Sequence, residues 1–249
     1  MLVLLPPSET KRSGGGGPAL DLDSLALPQL RSQREYVLGS LEALSTDAAT
    51  AVRVLGLSAA QLDEVGVNAR VRAAPTMAAI DRYTGVLYDS LDAASLDGPA
   101  RRWLGANVLI HTAPLGPVGA LDRIPAYRLA AGVALSGSAT LRRVWAAAVT
   151  DALADLAPRF VLDLRSEAYA ALGPVPASVA SVYVRVVSEA PDGAVRALNH
   201  FNKHAKGALM RKLAQQRPRF GSLRGLHAWA ATQDVRLRDG APGEVELFA

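Results

Sequence analysis

Near-continuous apolar runs at Val3-Leu4-Leu5, Asn107-Val108-Leu109-Ile110-His111 and Phe160-Val161-Leu162-Asp163-Leu164 predict buried strands, and Ser181 to Val187 alternates as a more exposed strand does. Between them the period lengthens. Leu30, Tyr36 or Val37, Leu41 and Leu44 recur at helical spacing after Pro28, a first-turn residue. A second helical pattern restarts at Thr46-Asp47, runs through Val52 and Leu55 and stops at Gly56. Ser58 then caps a short helix from Ala59 to about Glu64. This reading lets two short helices meet at Val65-Gly66-Val67-Asn68. Leu141 to Leu156 carries a helical stripe of Val144, Trp145, Val149, Leu153 and Leu156 and precedes the Phe160 run. Helix-then-strand order predicts an α/β fold with a central sheet surrounded by helices.

Three predicted strands end in polar sequence: Ser8-Glu9-Thr10-Lys11, Thr112-Ala113-Pro114-Leu115-Gly116 and Arg165-Ser166-Glu167-Ala168-Tyr169. Carboxyl ends of strands are where open α/β sheets bind ligands. Gly14 to Gly17 reads as a mobile loop; it lacks the residues of a phosphate-binding P-loop. No repeat or linker divides the chain, so residues 1–249 are expected to form one compact domain.

Charge changes this picture. The chain is +4 overall, yet Gly193 to Gln233 holds Arg196, Lys203, Lys206, Arg211, Lys212, Arg217, Arg219 and Arg224 without one Asp or Glu. That segment is +8, so the remainder is −4, and such an asymmetric field attracts polyanions or anionic substrates. The competing reading is a solvated basic face. On a helix from about Asn202 to Gln215, Ala205, Leu209 and Leu213 form the apolar stripe, with Lys203 and Lys206 about 60° apart on a neighbouring face. Two ammonium groups would then converge on one anion. Gly207, inside this helix, implies close approach of another backbone or a ligand.

Other chemistry is narrowed by absence from the sequence. There is no cysteine, which excludes disulfides, thiolate metal sites, iron–sulfur clusters and cysteine nucleophiles. His200 and His204 have metal-pair spacing, but Lys203 and Lys206 crowd them with positive charge and no carboxylate assists. No Gly-x-Ser-x-Gly elbow is present. Neither a metal nor another cofactor is expected. Met1 to Pro7 has no basic stretch before its short apolar run, and no stretch reaches the length of a membrane span, so the expectation is a cytoplasmic protein.

Five ordered segments resemble the YaaA family of peroxide stress proteins. They are Leu4 to Lys11, Arg82-Tyr83-Thr84-Gly85-Val86-Leu87-Tyr88, Leu121 to Leu129, Leu164 to Tyr169, and Lys203-His204-Ala205-Lys206-Gly207 with Arg211. The resemblance implies the single-domain α/β fold of that family, a helix-hairpin-helix element, a basic cleft, DNA binding and a role in limiting oxidative DNA damage. It places the hairpin on Val65 to Asn68, followed by Arg70 and Arg72, and lines the cleft with Lys11, Lys203, Lys206 and Arg211. The glycine-rich loop and the C-terminal tail from Glu244 to Ala249 depart from the enterobacterial pattern, and the loop bears on the geometry around Lys11.

Two functions follow as expectations. The first is a DNA-binding protein, of duplex or single strand, without sequence preference, contacting nucleic acid through Lys11, Gly66, Asn68, Arg70, Arg128, Lys203, Lys206 and Arg211. The second is an enzyme acting on a nucleotide, a nucleobase or damaged DNA. Glu9 or Glu167 would be its general base, Lys11 or Lys203 its anion anchor or nucleophile, and Tyr169 a stacking or proton-donating group. A small anionic, nucleotide-like ligand is the partner in that case. Local ion pairs of Glu9 with Lys11 and of Glu167 with Arg165 are the structural alternative.

Overall fold

The computed structural model describes residues 1–135, 139–189 and 202–249, and the backbone of 195–197. Strands β1 (Leu2–Leu5), β3 (Val108–Thr112) and β6 (Val161–Asp163) are buried at every residue. That is what continuous apolar runs become when both faces of a parallel sheet are covered. β1 pairs in parallel with β3 on one side and β6 on the other; β6 pairs in parallel with β7 (Ser181–Glu189), and β7 with β10 (Glu244–Phe248). The antiparallel partners are β4 (Gly116–Gly119) on β3, β9 (Leu237–Asp239) on β10 and β8 (Val195–Ala197) on β7. The order β4-β3-β1-β6-β7-β10-β9 is thus a mixed sheet, and β2 (Met77–Ala78) with β5 (Arg123–Ile124) forms a separate ribbon.

Helices surround the sheet. They are α1 (Arg31–Leu44), α2 (Ala48–Leu55), α3 (Asp63–Ala69), α4 (Ala79–Arg82), α5 (Val86–Leu91), α6 (Gly98–Asn107), α7 (Leu141–Leu156), α8 (Glu167–Ala170), α9 (Asn202–Gln216) and α10 (Leu223–Thr232). Their limits follow local chemistry. Asp47 accepts from the Thr50 amide and Gly56 closes α2 at φ 63°, whereas Thr140 caps α7 and Leu141, Trp145, Val149 and Leu153 turn inward from it. None of the described helices is long and apolar enough to cross a membrane.

One expectation is corrected and two segments gain detail. Val65 to Asn68 is not a hairpin but the middle of α3; the turn between successive helices lies earlier, at Gly56-Leu57-Ser58. Gly66 is accommodated inside the helix, where a Cβ would meet only the tip of the Arg70 side chain. The glycine loop is held at two of its positions, while Gly14 and Gly16 stand open. A Cβ on Gly15 would stand 2.5 Å from the Thr76 carbonyl oxygen, and the Gly17 amide donates to that same oxygen at 2.9 Å. The C-terminal segment forms β10, with Val245 and Leu247 buried beside β7.

Candidate functional site: a cationic cavity at the sheet switch point

After β3 the chain crosses back over β1 to form β6, so strand order reverses at β1 and a crevice opens beyond the carboxyl ends of β1 and β6. A cavity of about 320 Å³ fills that crevice. Pro6, Pro7, Ser8, Glu9 and Lys11 come to it from β1, Leu164, Ser166 and Tyr169 from β6, and Asn202, Lys203 and Lys206 from α9. Leu87, Tyr88, Arg128, Leu129 and Ala130 complete the wall.

The loop after β1 is pinned by the Arg82 to Gly85 segment. The Arg12 amide donates to the Arg82 carbonyl, the Thr84 amide donates to the Thr10 carbonyl, and Lys11 bridges to Tyr83. The Arg82 guanidinium is fully buried and donates to the carbonyls of Arg12, Pro75 and Ile124. Gly85 is held at φ 93°, where a Cβ would press on the hydroxyls of Ser8 and Thr10 at 3.2 Å. These contacts explain the motif by backbone satisfaction.

Lys11 Nζ donates to the carbonyls of Ser8 at 3.0 Å and Glu9 at 3.2 Å and lies 4.2 Å from the Tyr127 ring centroid. Burial lowers its pKa to about 7; Arg128 adds to the fall, while Glu64 and Glu9 oppose it. Beneath it, Tyr83 and Tyr127 share a hydroxyl–hydroxyl hydrogen bond of 2.7 Å, and Tyr88 donates to the Pro6 carbonyl at 2.7 Å. Burial pushes all three phenols well above their ordinary range, so they are neutral. Tyr169 shares a hydrogen bond with the Ala131 backbone and is raised for the same reason.

Lys206 is buried, donates to the Arg165 carbonyl at 3.3 Å and lies 5.2 Å from the Tyr183 ring centroid. Burial brings its pKa to about 8, with Asp163 pulling it back up. Behind it, Arg165 donates bidentately to Asp163 at 2.9 and 2.7 Å, and through Nη1 to His111 Nδ1 and the Gly173 carbonyl. His111 is neutral, its pKa held well below 6.5 by burial and by Arg165. Since Nδ1 accepts from Arg165, Nε2 carries the proton, and it has no hydrogen-bond partner among the described residues.

The sequence-predicted residues sort clearly. Glu9, Lys11, Tyr169, Arg128, Lys203 and Lys206 meet at the cavity, as the helical spacing of the two lysines required. Four do not. Glu167 turns away, exposed, toward Arg185 at 3.4 Å. Arg211 donates to the carbonyls of Leu91 and Asp92 and to Ser95, tying α9 to the end of α5. Gly66 and Arg70 lie on α3 and its end, off the cavity, and Arg70 is exposed. Asn68 acts from behind: it is buried and holds the Arg128 backbone. His204 is exposed; His200 and the side chain of Arg196 lie outside the described residues. Among the described residues no three His, Asp or Glu side chains gather as metal ligands.

Tyr83, Tyr88 and Asn202 were not foreseen as site residues, whereas Tyr127 stands among the polar groups the enzyme reading expects to converge. A sequence signal existed, because Tyr83, Tyr88, Tyr127 and Tyr169 are four of the six tyrosines and all lie in the matched segments.

Comparison with known proteins identifies the family. The family described as peroxide stress protein YaaA matches residues 1–233. A UPF0246 protein of Corynebacterium efficiens is 46% identical over 218 residues, covering 86% of this chain and 85% of its own. One from Streptomyces coelicolor is 44% identical over 219 residues (86% and 82%), and one from Cereibacter sphaeroides 28% over 230 (87% of each). With the match running through the β1 loop, the tyrosine segments and α9, the chain belongs to the YaaA family of peroxide stress proteins.

Proposed function

We propose that this protein binds nucleic acid without sequence preference and seats one nucleotide unit of a strand in the cavity, limiting DNA damage under peroxide stress. The observation that carries the reading is convergence. Lys11, Arg128, Lys203 and Lys206 point four basic groups into one space, and Glu9 is the single carboxylate among its lining residues. A phosphate there favours the charged forms of Lys11 and Lys206 that burial disfavours, so binding and protonation reinforce each other. The volume suits a single ligand unit and excludes a duplex.

The test is fluorescence anisotropy with a labelled 20-nucleotide strand and its duplex across about 50–200 mM salt, for the parent and Lys203→Ala/Lys206→Met. The expected result is at least a tenfold loss of affinity and a shallower salt slope in the variant. Unchanged binding removes the cavity from the interface.

A second reading is favoured by one observation. Lys11, with a pKa of about 7, is substantially a free amine at neutral pH and lines the cavity. A neutral lysine is a nucleophile for aldehydes. In an enzyme acting on damaged DNA, its nitrogen would attack the aldehydic sugar carbon of an abasic site and lose water to form an imine. Borohydride reduction with an abasic oligonucleotide should then leave a covalent adduct on Lys11, visible by peptide mass spectrometry. No adduct at pH 7 to 8 would rule this step out.

A further inference from the structure

From the opposite end of the sheet, we infer that an arginine-lined groove forms a second nucleic-acid-binding site, which engages the phosphate backbone of a strand. The groove encloses about 570 Å³ beside the amino ends of β1, β3 and β6. Arg102 reaches it from α6, Arg159 from the loop before β6, and Arg217 and Arg219 from the loop after α9. Among the described residues no carboxylate lines it. None of the four guanidinium groups forms an ion pair or hydrogen bond with a described residue, although nine other arginines of the chain do form ion pairs. Four like charges drawn together from three chain segments repel one another, and an external polyanion supplies the missing counter-charge.

The loop bearing Arg217 and Arg219 is built to hold them in place. Arg217 closes α9 in the left-handed conformation, φ 51°, where glycine is the usual residue. Pro218 stiffens the next step. Phe220 then anchors the loop, its ring 6.3 Å from Phe160 and 5.9 Å from Trp229. A fixed, open, cationic groove with Trp103 and Phe220 in its lining fits a strand with regularly spaced phosphates better than one small anion.

Helix α9 links the two sites. Lys203 lies in its first turn and Arg217 just past its end, so at 1.5 Å per residue the sites stand about 21 Å apart along the helix. At 3.4 Å per nucleotide that is about six nucleotides, more than a tetranucleotide spans. The groove rests on its own charge geometry, and only the idea that one strand occupies both sites depends on the cavity reading.

The experiment compares a 20-nucleotide strand and a tetranucleotide on the parent, on Arg102→Gln/Arg219→Gln and on Lys203→Ala/Lys206→Met, with thermal unfolding confirming that each is folded. Arg102 and Arg219 are chosen because both are exposed and come from different chain segments, and because Arg159, also exposed, runs alongside Gly221. The groove variant should bind the 20-mer at least tenfold more weakly, with a salt slope shallower by about 1.4, two contacts at about 0.7 each. Its tetranucleotide affinity should be unchanged. Unaltered 20-mer affinity and slope in the groove variant, with loss in the lysine variant, overturns the groove and keeps the cavity reading. Failure of the parent to bind the 20-mer at low salt overturns both. Loss of the tetranucleotide in the groove variant overturns the separation of the two sites.

Discussion

Asn68 holds Arg128 by both backbone groups: its side-chain amide donates to the Arg128 carbonyl at 2.9 Å, and the Arg128 amide donates to Asn68 Oδ1 at 2.8 Å. A buried helix residue thereby fixes the backbone of a cavity residue 60 positions away. Asn68→Ala leaves a buried donor and acceptor unpaired, at about 1–3 kcal/mol for each unpaired group. We expect a fall in the urea unfolding midpoint equivalent to about 2–4 kcal/mol. Asn68→Asp keeps the acceptor for the Arg128 amide but sets a buried carboxylate oxygen against the Arg128 carbonyl, and should lose at least as much. An unchanged midpoint in Asn68→Ala would show that the clamp is not the cause.

Stability should rise with pH across the neutral to mildly alkaline range. Unfolded, Lys11 and Lys206 titrate near 10.5; folded, near 7 and 8. Between these values the unfolded chain binds more protons, so the unfolding free energy increases with pH. The buried tyrosines act in the opposite sense. Their folded pKa values exceed 10.0, so the unfolded chain loses protons first above that point and stability declines. Urea midpoints measured from about pH 6.5 to 10.5 should peak near about 9.5, and Lys206→Met should flatten the rise above about pH 8. A profile that falls between about pH 7 and 9 contradicts the burial of the two ammonium groups.

Gly207→Ala tests the contact between α5 and α9. Alanine is the better helix former by about 1 kcal/mol, yet its Cβ would stand 2.2 Å from the Leu87 carbonyl oxygen and 2.8 Å from Ser90 Cβ. Backbone overlap wins over propensity, and a net loss of about 1–3 kcal/mol is expected. Because Leu87 and Tyr88 line the cavity opposite Lys203 and Lys206, strand affinity should fall as well. A stabilised variant with intact binding would mean that α5 and α9 separate freely.

What the chain order reveals by itself depends on how local each cause is. Apolar runs disclosed β1, β3 and β6, because burial on both faces leaves no room for alternation. Lys203 and Lys206 shared a face by helical geometry, and Gly207 announced a close neighbour. The failures are tertiary. Gly66 suggested a break, but a helix tolerates one glycine when Val65 and Asn68 are buried on its inner side. Glu167 found a partner on β7, and Arg211 one at the end of α5. Glu244 to Phe248 alternates as a strand should, yet its partner β7 lies about 60 residues upstream and nothing local names it.

The buried pair behind Lys206 makes an asymmetric prediction. Asp163→Asn leaves the Arg165 guanidinium, 1% exposed, without its counter-charge, and the cost of such a break is about 3–5 kcal/mol. It also removes the one carboxylate that sustains the Lys206 charge most strongly, so the Lys206 pKa should move below about 8. Asp163→Asn/Arg165→Met removes both charges and should recover part of the stability, though not the Lys206 pKa. Chemical labelling of Lys206 against pH separates the two effects. No stability difference between single and double variants would mean that Arg165 finds compensation elsewhere.

Arg211 separates charge from position. Its guanidinium donates to Leu91 and Asp92 carbonyls at 2.9 and 3.1 Å and to Ser95 Oγ at 2.9 Å, and it pairs with Asp92 at 3.4 Å. It is a tether between α9 and the end of α5, turned away from the cavity in which the family resemblance had placed it. Arg211→Ala should therefore destabilise the fold by about 1–2 kcal/mol through the lost hydrogen bonds. The salt dependence of strand binding should be the same as in the parent, because a cation already spent on Asp92 releases no counterion from a phosphate. If the slope instead falls by about 0.7, Arg211 exchanges Asp92 for phosphate on binding and returns to the interface.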